Sequence, residues 1–216
     1  MSDPTRPTSP DKDFWEHRYA EPTYAYGTAP NDFLVEVADR IPPGPVLCIA
    51  EGEGRNAVWL AERGHAVTAV DASAAGLAKA VALATSRGAR IGTIAADLAA
   101  FTIEPGAWSG IVAIFAHLPP LLRRSVHRAA ACGLTSGGVF ILEAFTPRQL
   151  ALGTGGPQKK ELLYTLDELR VDLAGLEVDV GREVERDVVE GRYHTGRAAV
   201  VQVLARRVPG APLEVR

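Results

Sequence analysis

From residue 45 onward, the chain alternates short apolar runs with segments of helical composition. The runs are PVLCIA (45–50), AVTAVD (66–71), RIGTIAAD (90–97), GIVAIFA (110–116) and GVFILEA (138–144). Such nearly continuous apolar runs are typical of parallel strands that are covered on both faces of a sheet. Strands that alternate with helices predict an α/β fold with a doubly wound sheet and right-handed crossovers.

The C-terminal part of the chain follows a different pattern. A Gly- and Pro-rich loop, FTPRQLALGTGGPQ, precedes a short helix that is predicted to begin near TLDEL. Residues 175–189 and 198–206 then contain strand-like stretches joined by EGRYHTGR, which indicates a hairpin. We therefore expect an antiparallel hairpin to complete an otherwise parallel sheet.

The N-terminal part precedes this alternating pattern. Residues 1–12 are rich in Pro, Ser, Thr and charge, which predicts a disordered lead-in. The segment 13–41 is predicted to be helical, with aromatic side chains at helical spacing in DFWEHRYA and with Asn31 capping a second helix. We expect one domain over residues 13–208, followed by a tail at 209–216.

Composition limits the possible partners. The chain has 216 residues, 47% of them hydrophobic, and a formal charge of −3 with scattered basic residues, so an extended nucleic-acid surface is not expected. No apolar run approaches the ~20 residues of a membrane span. The two cysteines form no metal-ligand spacing, so no metal is predicted and a reducing cytoplasm is favoured. The predicted partner is therefore a small molecule, and the protein is predicted to be a monomer or a homodimer.

The turn after the first strand is a candidate ligand site. In open α/β sheets, ligands bind beyond the carboxyl ends of the strands. Gly52 and Gly54 let the backbone approach a ligand, and the helix that follows offers free N–H groups. Asp71 ends the second strand, at a spacing that suits both ribose hydroxyls. A tight turn and a helix cap are the alternative roles of these residues.

Two classes of cofactor fit this turn. GEGRNA at 52–57 satisfies the dinucleotide pattern G-x-G-x-x-A, which keeps an NAD(P)-dependent oxidoreductase open. However, Glu51 and Glu53 place negative charge where a pyrophosphate would bind. A sulfonium cofactor that carries an ammonium group would tolerate that charge.

The chain resembles the class I S-adenosylmethionine-dependent methyltransferases, and within them the TehB-like, tellurite-resistance-type enzymes that act on small molecules. The resemblance is carried by VLCIAEGEGRNAVWLAERGHAVTAVDAS, AADL, IFAHLPP and GGVFILEAFTP. It implies S-adenosylmethionine (AdoMet) as the cofactor and a Rossmann-like sheet of seven strands in the order 3-2-1-4-5-7-6.

The resemblance also implies roles for individual residues. Asp71 would bind the ribose, Asp97 and Leu98 the adenine, and the segment after the fourth strand would border the methionine moiety. The predicted cofactor-binding residues are Tyr26, Ala50, Glu51, Gly52, Arg55, Asn56, Asp71, Ala72, Asp97, Leu98, Phe115 and Ala116. The sequence departs from the family pattern at Cys48, where an acid is usual, and at Ala50, where glycine is usual. Glu51 is the nearest replacement for the missing acid.

Methyl transfer is an in-line displacement that requires positioning and a dry site and no metal. A base is needed only for a nucleophile of high pKa, and thiols ionise near ~8.5. His117 and His194 are the candidate bases. Their alternative roles are a loop-shaping hydrogen bond for His117 and an exposed turn for His194. His17, His65 and His127 are predicted to lie on the surface.

The predicted substrate-binding residues are Trp15, Tyr19, Arg148 and Tyr193. The N-terminal aromatic residues would close over the site as a lid and face the sulfonium by cation–π attraction, with core packing as the alternative. The predicted function is methyl transfer to a small-molecule thiol or chalcogen acceptor. The rival hypotheses are the oxidoreductase and a non-catalytic AdoMet-binding module.

Overall fold

A computed structural model describes residues 12–208 and Gly210. Most of the predicted lead-in (1–12) and of the tail (209–216) therefore lies outside the described residues. The helices are α1 (Lys12–Tyr19), α2 (Asp32–Val37), α3 (Arg55–Glu62), α4 (Ala74–Ser86), α5 (Pro120–Gly133) and α6 (Leu166–Asp172). Short 3-10 turns span Ala38–Arg40, Pro147–Ala151 and Lys160–Leu162.

Seven strands form one sheet in the order β3-β2-β1-β4-β5-β7-β6. The strands are β1 (Pro45–Ile49), β2 (Ala66–Asp71), β3 (Gly92–Ala95), β4 (Trp108–Ile114), β5 (Leu134–Phe145), β6 (Glu177–Glu190) and β7 (His194–Arg206). β1 to β5 pair in parallel, whereas β7 pairs antiparallel with both β5 and β6. The predicted fold class, strand order and C-terminal hairpin are confirmed.

Local sequence signals explain where several helices begin. The side chain of Asn31 accepts a hydrogen bond from the N–H of Leu34, which caps α2 as predicted. Ser73 caps α4 in the same way. Thr165 and Glu168 form a reciprocal capping box at the start of α6, which confirms the helix predicted near TLDEL.

The sheet separates two apolar layers because successive strand side chains point to opposite faces. In β1, Leu47 and Ile49 belong to one buried cluster, while Val46 and Cys48 belong to the other. β3 is different, since all four of its residues are exposed at the edge of the sheet. The expectation that every strand is covered on both faces is wrong for this edge strand.

His127 corrects a second expectation. It is 1% exposed, and its Nδ1 lies 3.1 Å from Oδ2 of Asp172, to which the buried Arg123 also donates from Nε at 2.7 Å. The prediction of a surface position was wrong because α6 brings Asp172 to α5, a contact that the local sequence does not encode.

Candidate active site

A cavity of about 680 Å³ lies beyond the carboxyl ends of β1, β2 and β4. The strand order reverses between β1 and β4, which is the usual ligand position in such sheets. The cavity size suits a cofactor with a small acceptor. Its lining contains most of the predicted site residues: Trp15, Tyr19, Tyr26, Ala50, Glu51, Arg55, Asn56, Asp71, Ala72, Leu98, Phe115, Ala116, His117, Tyr193 and His194.

Two lining residues hold left-handed backbone conformations. Ala50 follows β1 with φ +50°, and Phe115 follows β4 with φ +54°. This conformation costs about 1–2 kcal/mol for a residue with a Cβ. Residues in strained conformations of this kind cluster at ligand-binding sites. The conformation at position 50 also gives a physical reason for the glycine that is usual there in the family that the sequence resembles.

Glu51 caps α3 and faces the cavity. Its Oε1 accepts the N–H groups of Asn56 and Ala57 at 2.9 and 2.8 Å. Among the described residues, its Oε2 accepts no hydrogen bond. Burial raises the pKa of this carboxyl from 4.5 to about 7, although the two N–H donors and Arg55 oppose the shift. A cationic ligand at Oε2 would favour the ionised form.

Asp71, at the end of β2, is hydrogen-bonded to the turn that follows β1. Its Oδ2 accepts the N–H of Gly52 at 2.8 Å, and its Oδ1 accepts the N–H of Ser73 at 2.8 Å. Burial raises the pKa of this carboxyl, while these N–H donors lower it. Each oxygen of an ionised carboxylate has a further lone pair, so both oxygens can accept a hydroxyl from a ligand.

The charge of Glu53 and the positions of the two turn glycines, Gly52 and Gly54, differ from what the sequence predicted. Glu53 is buried, accepts the N–H of Ala25 and pairs with Lys79, so its negative charge is compensated. A Cβ on Gly54 would lie 2.8 Å from the backbone Cα of Ala80, which shows that this glycine permits close packing of α4. Gly52 is covered by the Tyr19 hydroxyl, and neither glycine lines the cavity.

Several aromatic rings also line the cavity. The Trp15 and Tyr19 rings stack at 5.5 Å between centroids. The His194 ring lies 4.5 Å from the Tyr26 ring and 4.7 Å from the Phe115 ring. Electron-rich ring faces of this kind attract cations, including a sulfonium.

Both ring nitrogens of His117 contact the backbone. Nδ1 lies 2.7 Å from the carbonyl oxygen of Leu162, and Nε2 accepts the N–H of Phe145 at 3.4 Å. Burial lowers the pKa of His117 to about 4, even though the Leu162 contact opposes the shift. The His117 ring is neutral and both of its nitrogens contact the backbone. This arrangement fits a role in shaping the loop better than a role as a base.

His194 is 7% exposed, so it does not occupy the exposed turn that was the alternative for this residue. Its Nδ1 lies 3.7 Å from Oε2 of Glu190, which is too long for a hydrogen bond but short enough for an electrostatic contact. Burial lowers the pKa of His194, and Glu190 partly offsets that effect. The side chain is therefore neutral near pH 7 and able to accept a proton.

Three predicted residues lie outside the cavity lining. Gly52 is beneath Tyr19, as described above. Asp97 is exposed, and its Oδ1 accepts the N–H of Ala99 at 2.8 Å. The Arg148 side chain is 67% exposed and pairs with Glu185. Their roles in binding stay predictions.

The other lining residues were not predicted individually as site residues, although Glu53 belongs to the predicted ligand turn and Ile114 to the segment that was predicted to border the methionine moiety. They are Phe14, Arg18, Gly27, Glu53, Ala96, Ile114, Leu118, Gly155, Gly156, Pro157, Gln158, Lys159 and Leu162. Most of them come from α1 and from the Gly-rich loop after β5. Loops of that kind are common covers of active sites, but composition does not reveal which of their side chains face the ligand.

The β6–β7 hairpin tip closes against the N-terminal segment. The N–H of Arg192 donates to the carbonyl oxygen of Ala25 at 3.0 Å. Gly191 has φ +67°, and a Cβ on this residue would clash with the backbone nitrogen of Gly27. Backbone therefore packs directly on backbone here, and this contact holds the neighbouring Tyr193 and His194 at the cavity.

We expect Gly191→Ala to destabilise the protein by about 1–3 kcal/mol through overpacking and to displace the hairpin tip. Gly88→Ala is a matched control, because Gly88 also has φ +67° but has open space within 4 Å of the position that a Cβ would occupy. Both variants bear the cost of a left-handed conformation at alanine. The difference between their losses of stability, measured by thermal unfolding, therefore reports the clash alone. Equal losses in the two variants would mean that the tip does not depend on this contact.

Comparison with known proteins shows a match to part of the chain and a shared fold. Residues 46–138 match the family described as methyltransferase domain. No curated protein sequence matches the chain. A solved structure described as "Conversion of a Disulfide Bond into a Thioacetal Group during Echinomycin Biosynthesis" is 19% identical, with a TM-score of 0.76 and 93% of each chain covered.

Two further structures share the fold. TehB from Haemophilus influenzae is 19% identical, with a TM-score of 0.68 over 91% of this chain and 66% of the TehB chain. The [4+2]-cyclase SpnF is 18% identical, with a TM-score of 0.64 over 92% of each chain.

Residues 46–138 are thus similar to a methyltransferase domain, and the described residues share the fold of these three structures. In the part of the chain that the structure describes, no helix is long and apolar enough to cross a membrane. Nor do three or more His, Cys, Asp or Glu side chains of these residues form a group that could hold a metal ion.

Proposed function

We propose that the protein transfers the methyl group of AdoMet to a small-molecule nucleophile, a thiol or another chalcogen acceptor. One observation carries the proposal. Among the described residues, Glu51 and Asp71 line the cavity at the strand ends and form no ion pair, and several aromatic rings line the same space. A sulfonium cofactor with an ammonium group and a ribose matches this combination of donors and rings.

The residues present fit AdoMet. Asp71 would accept the ribose hydroxyls, and Oε2 of Glu51 would accept the ammonium group in place of an acid at Cys48, which is buried in the core. The apolar residues Ala72 and Leu98 would border the adenine. When bound, AdoMet supplies an electrophilic methyl group on a sulfonium sulfur.

The acceptor would bind against the aromatic side of the cavity. Segment 13–41, which contributes Trp15, Tyr19 and Tyr26 to the lining, would act as the lid. His194 would accept the proton of the thiol, and the aromatic rings would orient its sulfur toward the methyl group that AdoMet supplies. Exclusion of water by the rings would strengthen the electrostatic interactions inside.

A sulfur nucleophile suits the weak base that the site offers. Burial lowers the pKa of His194, so this side chain is a poor base for a hydroxyl but an adequate one for a thiol, whose pKa is near ~8.5. The similar structure that is described by conversion of a disulfide bond in echinomycin biosynthesis belongs to a protein of sulfur chemistry. By analogy, it supports a sulfur acceptor for this protein.

Calorimetry with AdoMet, S-adenosylhomocysteine and NADH tests the cofactor. We expect binding of the first two ligands, and NADH binding without AdoMet binding would overturn the proposal. Transfer of a radiolabelled methyl group to thiols, amines and phenols then tests the acceptor. Tight AdoMet binding without transfer to any acceptor would favour a non-catalytic module, or other chemistry on this fold.

Asp71→Asn tests the ribose site. We expect this variant to weaken AdoMet binding by about 1.5 kcal/mol, roughly tenfold, because one charged acceptor becomes a neutral amide. Asp167→Asn is the control, since its side chain on α6 is 93% exposed. Unchanged affinity in Asp71→Asn, measured by calorimetry, would remove this residue from the cofactor site.

A further inference from the structure

Glu190 is a buried carboxylate beside the cavity. It is the last residue of β6, is 6% exposed and does not belong to the cavity lining. Its register partner across the hairpin is His194, the first residue of β7. Side chains of two such opposite residues lie on the same face of a sheet and are close enough to interact. The hairpin therefore places a carboxylate next to the proposed base.

The Glu190 carboxylate is held from several sides. Its Oε1 accepts a hydrogen bond from Nδ2 of Asn31 at 2.9 Å, and its Oε2 accepts one from Nη2 of Arg55 at 2.7 Å. Arg186 also donates to Oε1, at 3.3 Å. Burial would raise the pKa of Glu190, but its contacts with His194, Arg55 and Asn31 lower the pKa to about 2. Glu190 is therefore ionised near pH 7, and its oxygens can only accept hydrogen bonds.

The two ring nitrogens of His194 have different surroundings. Nδ1 is buried without a hydrogen-bond partner among the described residues, and it lies 3.7 Å from Oε2 of Glu190. Nε2 is not one of the buried unpaired atoms of these residues, so it is the nitrogen that a ligand in the cavity can reach. A ring nitrogen that faces an ionised carboxylate carries the proton, because the carboxylate has none to donate. Nε2 then keeps the lone pair of the neutral ring.

Glu190 is the main stabiliser of a positive charge on this ring. The charged and titratable groups around the His194 side chain are Glu190, Arg55, Glu143, His117, Tyr26 and Tyr193. Burial lowers the pKa of His194 and Glu190 raises it, whereas Arg55 and Glu143 have smaller effects of opposite sign. His117 is neutral, because burial lowers its pKa to about 4. Loss of the Glu190 charge would leave His194 beside an uncompensated Arg55.

We propose that Glu190 is the positioning residue of His194, which keeps the proton of the neutral ring on Nδ1 and presents the lone pair of Nε2 to the methyl acceptor. When Nε2 takes the proton of the thiol, the ring becomes an imidazolium, and its Nδ1–H can close the gap to Oε2 of Glu190. The proton stays on the ring and does not pass to Glu190. The inference rests on the proposed function for the reaction, but the tautomer and the pKa of His194 can be measured without methyl transfer.

Nuclear magnetic resonance of protein with isotopically labelled histidine nitrogens tests the pair directly. In the wild-type protein we expect neutral His194 to carry its proton on Nδ1, with its signals assigned by their absence in His194→Ala. Glu190→Gln should weaken this preference, because an amide can present either a donor or an acceptor. The same variant should lower the pKa of His194 by about one pH unit, the lower end of the effect of a neighbouring opposite charge.

Methyl transfer adds a readout that a merely structural role would not change. The neutral ring is the base, so kcat/KM should fall at pH values below the pKa of His194. In Glu190→Gln this decrease should begin about one pH unit lower. We also expect kcat with an alkyl thiol to fall about tenfold in this variant, and to fall less with an aryl thiol of low pKa.

Two further variants complete the test. Glu190→Asp keeps the charge at a greater distance, so the pKa of His194 should lie between those of wild type and Glu190→Gln, and this variant serves if Glu190→Gln does not fold. Asp187→Asn is the matched control, since it removes one negative charge from β6 at a side chain that is 81% exposed. A change in the His194 pKa as large in Asp187→Asn as in Glu190→Gln would overturn the assignment to Glu190.

The resonance measurements separate this inference from the proposed function. A proton on Nε2 of the neutral wild-type ring, or the same His194 pKa in wild type and Glu190→Gln, overturns the role of Glu190 even if methyl transfer occurs. A proton on Nδ1, together with a lower pKa in Glu190→Gln, supports the role even if no acceptor is methylated and the proposed function fails. The signals of His127, which pairs with Asp172, should stay unchanged in every folded variant.

Discussion

The His194→Ala variant is expected to lose about 100-fold in kcat with an alkyl thiol, the lower end of the range for a general base. The loss should be much smaller with an aryl thiol of low pKa, because that acceptor is already ionised when it binds. Initial rates of methyl transfer, measured across a series of thiols of increasing pKa, provide the test. His194→Gln, which retains a polar side chain, should show the same dependence on thiol pKa.

His117 provides the comparison for this prediction. Its two ring nitrogens contact the backbone at Leu162 and Phe145, so His117→Ala should lower the free energy of unfolding and slow all thiols by the same factor. A loss that grows with thiol pKa in His117→Ala, together with a uniform loss in His194→Ala, would exchange the roles of the two residues.

The second large effect concerns Glu51 and pH. Burial raises the pKa of this carboxyl to about 7 in the free protein, whereas an ammonium group at Oε2 would favour the ionised form. Below pH 7 binding must therefore release a proton, and the AdoMet affinity falls by up to tenfold per pH unit. We expect a decrease of about 50-fold between pH 7 and pH 5, measured by calorimetry.

Glu51→Gln should abolish most of this pH dependence while its amide oxygen still caps α3. Glu104→Gln, at an exposed position, should leave the dependence intact. In the free protein the native state binds the proton of Glu51 more tightly than the unfolded state does. The free energy of unfolding should therefore decrease as pH rises from 4.5 to about 7, and this contribution should be absent in Glu51→Gln. An unchanged pH profile of binding in Glu51→Gln would remove Glu51 from the ammonium site.

The sheet was predictable because its signals are local. Continuous apolar runs marked the strands, and β2 was predicted with its observed limits, Ala66–Asp71. The caps at Asn31 and near TLDEL likewise depend on side chains a few residues from the N–H groups that they bind. The position of Asp71 at a strand end also follows from the topology alone.

The rest of the site depends on contacts between distant segments. Arg18 reaches the cavity because α1 packs near the tip of the β6–β7 hairpin. There the Arg18 guanidinium lies over the ring of Tyr193, a residue that is distant in sequence. The buried Glu190 joins Asn31 and Arg55, and no local pattern in β6 marks it as a partner of either. The surface prediction for His127 failed for the same reason, since its partner is on another helix.

The placement of β7 between β5 and β6 has a consequence for synthesis on the ribosome. β7 follows every other strand in the described chain. One edge of β5, an apolar strand, therefore stays unpaired until β7 has been synthesised. An open edge of this kind can pair with other chains, and a nascent protein at that stage is vulnerable to aggregation. Insertion of β7 protects the edge and carries His194, its first residue, to the cavity, so catalytic competence and protection from aggregation would be acquired together.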